Sequence, residues 1–502
     1  MKNQGPSTQG HSFARWDALV VLFFCATTAV SSPGQTFTKV ADLTATSGTN
    51  VQYPLVQGFD GNLYGTAFYG GAYANGTFFT VTPSGTLTTL HSFCKKRVSD
   101  CADGVNPGAI ALGPNGKFYG GTANVVGKTN SIPGTIYKIS SLGSLTTLHT
   151  FCAGSCDDGT SSGPLTLAWN GYFYGVSYPS AANSSAFHNV VFKVSPSGVF
   201  TTVLDVCPGG VCASGGGPTG GLFENGGGLF FGNGFSVGTT IQQALYKMTL
   251  SGTPSLAYTF CSNSEQCGSG IPSFLQATNG DIYGTFGAGG LGGKLCLDTV
   301  EGCGIAFRIS LAEGTYVKLH DFCSGANCAD GATPRPLIQA ADGNLYGVTA
   351  GEYRNPQVYS YGTIFRLTPA GRFTVLHTFS AADPLGYEPN SPLYQATDGN
   401  LYGTTSAGGA SNVGTIFRIS LGLPPFVRTV QNEGKVGSSV VILGNNLTGS
   451  VSVTFNGTPA AFTVVSDTEI IAVVPSGATS GSIEVSGPRG GLASATIFHV
   501  FP

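Results

Sequence analysis

Carboxylates set beside glycine are the first candidates for chemistry in this chain. The hexapeptide DGNLYG stands at 60–65, 342–347 and 398–403; looser copies read NGKFYG at 115–120, NGYFYG at 170–175 and NGDIYG at 279–284. Asp60, Asp342 and Asp398 could act as general bases or cation ligands. Asn115, Asn170 and Asn279 hold the same position. Asparagine keeps the turn chemistry of aspartate and discards its charge. The shared role is therefore a hairpin corner.

Other motifs fare similarly. Gly234-Phe235-Ser236-Val237-Gly238 fits the hydrolase pattern G-x-S-x-G, which needs a strand-turn-helix setting with histidine and acid partners. Gly287-Ala288-Gly289-Gly290-Leu291-Gly292 fits G-x-G-x-x-G, which cradles phosphate only where a helix follows. Both lie in glycine-rich stretches without helical periodicity and read as loops. His91, His149, His320 and His377 share one position in a recurring segment. A metal ring is the chemical reading; packing between repeats is the expectation, because that segment should be outermost.

The segments expected innermost read PLVQ, AIAL, PLTL, GGLF, FLQ, PLIQ and PLYQ, without a charged residue. Gln57, Gln276, Gln339 and Gln395 share a position there and are the candidate ligand-binding residues, through neutral hydrogen bonds. Paired carboxylates for glycoside chemistry would have to come from loops, through Asp157, Asp158, Asp298, Glu301 or Glu352. Asp103, Asp158 and Asp330 each precede a glycine just after a cysteine and read first as turns. No catalytic residue, metal or cofactor is assigned.

What positions these residues is a repeat. Tyr64, Tyr119, Tyr174, Phe231, Tyr283, Tyr346 and Tyr402 recur at a step of roughly 55 residues, the mark of a repeat architecture. The sixth copy shows the plan: RPLIQA, the turn ADGN, LYGVT, a loop, GTIFRLT, the turn PAG, then RFTVLHTF. That is four short strands with turn residues between them. Seven such copies predict an all-β chain with a seven-bladed β-propeller over 36–421. The seventh copy stops at Ser420 without its fourth strand, and FTKVADL at 37–43 stands alone before the first copy. Docking that spare strand on the last blade would close the ring and remove its open edges.

Composition agrees with an exported β-protein. Of 502 residues, 9% are charged and 76 are glycine, with a net charge of −3. Nothing there favours a nucleic-acid partner. Lys2 and Arg15 precede the apolar run ALVVLFFCATTAV at 18–30. This predicts a signal peptide over 1–31, cut near Ala29-Val30-Ser31. The mature chain then has no membrane span and is secreted or displayed at the cell surface. Setting aside Cys25, twelve cysteines form close pairs: Cys94 with Cys101, Cys152 with Cys156, Cys207 with Cys212, Cys261 with Cys267, Cys296 with Cys303 and Cys323 with Cys328. In an exported chain they predict six local disulfides. The spacings vary and no CxxC occurs, against zinc.

The pattern DGNLYGTTSAGG…GTIFRIS, followed in other copies by G-x-LTTLHTF, resembles the GloVer tandem repeat of exported "choice-of-anchor" bacterial proteins. The resemblance covers about 36–420 and is weakest in copy four. It implies export and surface display and supplies no catalytic residues. Residues 424–502 alternate apolar residues with glycine turns, predicting a small immunoglobulin-like β-sandwich. They resemble the IPT/TIG domain through Gly437, Gly444-Asn445-Asn446, Phe455-Asn456-Gly457-Thr458, Ser466-Asp467-Thr468 and Val474-Pro475. QNEGKVG departs from the pattern, where relatives usually carry a proline. A spacer or adhesion role is implied. The expected function is non-catalytic binding or display toward extracellular glycans or proteins, with a carbohydrate-active propeller hydrolase or lyase as the alternative.

Overall fold

A computed structural model describes residues 34–95, 101–126, 131–153, 158–178, 190–205, 221–224, 228–237, 241–260, 268–269, 272–290, 302–324, 328–350, 352–355 and 358–501. The expected signal peptide lies outside them, as do Asp157, Asp298 and Glu301. Six of the paired cysteines lie outside them too: Cys156, Cys207, Cys212, Cys261, Cys267 and Cys296. Among the described residues there is no α-helix, and no helix long and apolar enough to cross a membrane.

The repeat becomes a run of antiparallel sheets built on four strands, with a short fifth strand added in sheets 3 and 7. Sheet 1 comprises Val56–Gln57, Leu63–Ala67, Thr77–Val81 and Leu87–Ser92. Sheets 2 to 6 repeat this order, with first strands at Val105–Leu112, Thr166–Leu167, Phe223–Glu224, Ser273–Gln276 and Ile338–Gln339. Sheet 7 has Tyr394–Gln395, Leu401–Ala407 and Thr415–Ser420. Its outer strand is Thr36–Asp42, paired antiparallel with Thr36 opposite Ser420 and Asp42 opposite Thr415. The spare N-terminal strand thus lies where the sequence predicts. Sheets 7 and 1 also meet through the Thr404 hydroxyl, which donates to the Val51 carbonyl at 3.1 Å.

The hexapeptide has a physical explanation. Gly61 takes φ +79°, which favours glycine. One carboxylate oxygen of Asp60 accepts the Asn62 amide at 3.2 Å, an Asx turn. The other accepts the Tyr64 hydroxyl at 2.8 Å. Asp342 with Tyr346 and Asp398 with Tyr402 repeat this at 2.8 and 2.9 Å. Asn115, Asn170 and Asn279 instead donate to Tyr119, Tyr174 and Tyr283. A tyrosine hydroxyl can donate or accept, which is why both residues serve. The glycine after the tyrosine is required by close approach. A Cβ on Gly65 would lie 2.6 Å from the Phe79 ring, and one on Gly403 2.4 Å from Phe417. Each ring comes from the GTIF-type strand beside it.

This gives the first expectation for experiment. Asp342→Asn should change stability by at most about 1 kcal/mol, since the hydroxyl only reverses its role. Tyr346→Phe, which deletes the hydroxyl that ties a 2% exposed tyrosine to the Asp342 carboxylate, should cost about 1 kcal/mol. Urea unfolding of both variants checks these values.

The C-terminal segment packs two sheets face to face. One holds Arg428–Thr429, Ser439–Leu443, Glu469–Val473 and Phe462–Val464; the other holds Thr458–Pro459, Ser452–Phe455, Ile483–Gly487 and Gly490–Ala493. Val440, Ile442, Val453, Phe455, Ile470, Val485 and Phe498 form its core. A parallel pair, Glu433–Lys435 with His499–Phe501, lies at one side.

Candidate functional site

Antiparallel order fixes two faces. The turn between the first and second strands of every sheet lies on one face. The connections from outer strand to next inner strand lie on the other. The latter carry the bridges Cys94–Cys101 and Cys323–Cys328. Cys152 and Cys303 are also disulfide-bonded, while their expected partners Cys156 and Cys296 lie outside the described residues. The expected bridges of Cys207 with Cys212 and of Cys261 with Cys267 fall wholly outside them. The prediction of six local disulfides is therefore matched at both ends only by Cys94–Cys101 and Cys323–Cys328. Cys303, Cys323 and Cys328 have sulfurs within 4.8 Å of one another. All three are in disulfides, so this buried cluster offers no thiolate to a metal.

The glutamines stand on the turn face and link neighbouring sheets. The Gln57 amide oxygen accepts the Thr397 amide at 3.0 Å, joining sheet 1 to sheet 7. Gln395 accepts from Ala341 at 2.9 Å and Gln339 from Thr278 at 2.8 Å. Their side-chain nitrogens donate to the turn glycines Gly61, Gly399 and Gly343; Gln276 donates likewise to Gly280. Gln57 and Gln395 are each 3% exposed. Gln276 and Gln339 instead line a cavity.

Sheet 4 breaks the pattern, and the sequence reading missed it. Its inner strand does not end at GGLF; it ends on Glu224, in the glutamine position. Glu224 accepts the Trp169 amide from sheet 3 at 3.1 Å, as a glutamine would. The signal was available: alignment on Phe231 puts Glu224 in register with Gln57. The expected absence of charge in the inner strands is corrected accordingly.

Facing Glu224 is Glu433 of the C-terminal domain, 2% exposed. Burial, then the charge of Glu433, push the Glu224 carboxyl up to about 8. Like charges held close together and mostly out of solvent cannot both ionise cheaply. The two carboxyls border a cavity of about 430 Å³ with Gln276, Gln339, Asn432 and His499. Burial holds the His499 imidazole below its ordinary range.

Around this cavity the C-terminal domain touches turns of several sheets. The Thr468 hydroxyl donates to Phe59 of sheet 1 at 2.5 Å. Gln431 donates to Ala168 of sheet 3 at 2.9 Å, and Lys435 lies 5.2 Å above the Trp169 ring. Asn445 donates to Thr397, and Arg428 to the Gln395 carbonyl, in sheet 7 at 2.8 and 2.9 Å. QNEGKVG, the departure from the IPT/TIG pattern, supplies Gln431, Glu433 and Lys435. The departure is thus the docking edge.

The histidines pair with the three aspartates read as turns and with a fourth, Asp383. His91, His149, His320 and His377 lie 2.9, 2.7, 3.0 and 2.7 Å from Asp103, Asp158, Asp330 and Asp383. His149 and His320 stack on Phe200 and Phe373 of the next sheet at 3.9 and 3.7 Å. Burial alone would raise the Asp158 carboxyl, but His149 and the Cys152 amide hold it below its usual range. These outer histidines pack between sheets. Glu352 lies in the strand Glu352–Asn355. The G-x-S-x-G residues up to Val237 form the strand Leu229–Val237, not a loop, and no helix follows among the described residues.

Residues 293–445 match the Gloeobacter/Verrucomicrobia repeat and residues 425–499 the IPT/TIG domain. No curated protein matches the chain. Among solved structures, it is similar to an α-L-arabinanase of Penicillium chrysogenum complexed with arabinobiose (14% identity, 62% of this chain and 92% of that one, TM-score 0.41). A protein from Lactobacillus plantarum is similar at 14% identity over 69% and 95% of the two chains, TM-score 0.38. A structural genomics protein of unknown function from Bacteroides thetaiotaomicron is similar at 12% over 77% and 76%, TM-score 0.38. The chain carries the Gloeobacter/Verrucomicrobia repeat, followed by an IPT/TIG domain.

Proposed function

We propose that the sheets form a closed seven-bladed β-propeller over 36–421, that 424–502 caps its turn face, and that the protein is exported for non-catalytic binding at the cell surface or outside the cell. The ligand class is a glycan or an extracellular protein. One observation carries this reading: the recurring polar side chains are spent on the scaffold. Turn aspartates hold tyrosines, glutamines tie blade to blade, and histidines pair with aspartates. With the turn face capped, the disulfide-pinned connections form the free rim, suited to recognition. Gln276 and Gln339 are retained as secondary ligand contacts within the capped cavity.

A glycan and protein binding array with the mature chain tests this. Saturable capture of one ligand class supports it; no capture on either array contradicts it. The second reading, a carbohydrate-active enzyme, draws on the Glu224–Glu433 pair. It requires polysaccharide cleavage that Glu433→Gln abolishes without loss of folding.

A further inference from the structure

The face opposite the cap holds a second cavity, of about 410 Å³, between the inner strands of sheets 4, 5 and 6. Its size suits one or two sugar rings. Arg335 lines it, with Phe223, Phe274, Pro272 and Pro336 as apolar wall. The same register position holds Gly108, Gly163, Pro272 and Ser391 in other sheets, so a long cation here is peculiar to sheet 6.

Among the described residues no carboxylate pairs with the guanidinium. One terminal nitrogen donates to the Asn390 side-chain oxygen, and Asn390 donates in turn to Asn50 at 3.2 Å. Its Nε–H is buried without an acceptor. Among the described residues the cavity lining contains no Asp or Glu. Burial lowers the guanidinium pKa. Arginine nevertheless remains charged. The hydroxyls beside it are already committed: Ser273 and Thr285 lie 2.7 Å apart, and Thr285 donates to the Arg335 carbonyl at 3.2 Å.

A partly buried cation set in an apolar wall is built to receive an anion of limited size. We propose that this cavity binds a small organic carboxylate with a CH-rich body, the class that includes hexuronic acids, with Arg335 gripping the carboxylate. The guanidinium fork matches carboxylate and phosphate alike, and the apolar wall selects an acid carried on a CH-rich body over free inorganic phosphate. This deepens the binding reading and rests on it.

The test is calorimetric titration of the full mature chain with glucuronate, galacturonate, glucose, galactose and inorganic phosphate. A uronate should bind at least about tenfold more tightly than its neutral parent, as charge-assisted hydrogen bonds imply. Arg335→Met should remove that preference, and Arg335→Lys should keep part of it. Arg335→Met should also fold with an unchanged or higher urea midpoint, because it deletes an uncompensated cation. Equal binding of uronate and parent, tighter binding of phosphate, or a preference that survives Arg335→Met would overturn the assignment. Array capture of neutral glycans, unaffected by Arg335→Met, would overturn this site while leaving the binding function intact.

Discussion

Replacing Glu224 by Gln is expected to stabilise the protein at pH 9 and leave it unchanged at pH 5. The folded carboxyl titrates at about 8 against an ordinary value of 4.5. A raised pKa means that the folded state binds the proton more tightly than the unfolded chain does. The associated stability is complete below about pH 4.5 and is lost as pH rises through about 8. Below that point a protonated Glu224 resembles the glutamines of sheets 1, 5, 6 and 7, able to donate as well as accept. Above it, two carboxylates face each other across the domain junction. Glutamine restores the residue of the repeat and removes the repulsion, so a gain of about 1–3 kcal/mol is expected at pH 9. His499 works in the other direction: its lowered pKa favours the folded state as pH rises past its titration. It is common to both proteins, as are Lys435, Tyr172 and Tyr174, so the difference between them isolates the Glu224–Glu433 pair. Urea unfolding at pH 5, 7 and 9 measures it. Parallel pH profiles for parent and variant would contradict the account.

Deleting residues 32–43 is expected to have the largest effect on the fold. Thr36–Asp42 supplies the outer ladder of sheet 7. Leu43 is fully buried and packs, with Ala41, against Leu55 and Leu63 of sheet 1 and Ile416 of sheet 7. Phe37 lies 4.8 Å from the His377 ring of sheet 6. Removal therefore opens the edge of Thr415–Ser420 and unseats the junction of first and last sheets. The loss of Leu43, Phe37 and the ladder bonds should exceed roughly 5 kcal/mol. A thermal melt with size-exclusion chromatography should show a lower midpoint and aggregation. An equally stable monomer would argue for an open array.

The turns, the sheets and the pairing of the N-terminal strand with Thr415–Ser420 were legible because they depend on local chemistry repeated many times. Gly61 and its counterparts need positive φ, and the Asp/Asn exchange exposes the turn role by comparison within one chain. The outer histidines were placed correctly between sheets, but their aspartate partners were not found, because the pairs form across loops of varied length. Glu224 was missed because copy four is the most divergent and its inner strand was cut one residue short. Its significance also depends on Glu433, more than two hundred residues away in another domain. No spacing rule announces that contact. Arg335 was invisible for a related reason: a cation in a turn-rich stretch reads as surface until the cavity around it is known.

The proposed binding role depends on the C-terminal domain sitting on the turn face, so that the opposite face is left for ligand. Trp169 reports this directly. It is the single tryptophan in a chain beginning at residue 32. Its ring lies beneath Lys435 and 5.6 Å from Phe501, both of the C-terminal domain. Acrylamide quenching of its fluorescence should be well below that of free tryptophan, and Phe501→Ala should raise it. Quenching equal to free tryptophan, and unmoved by Phe501→Ala, would mean that the domain does not sit there.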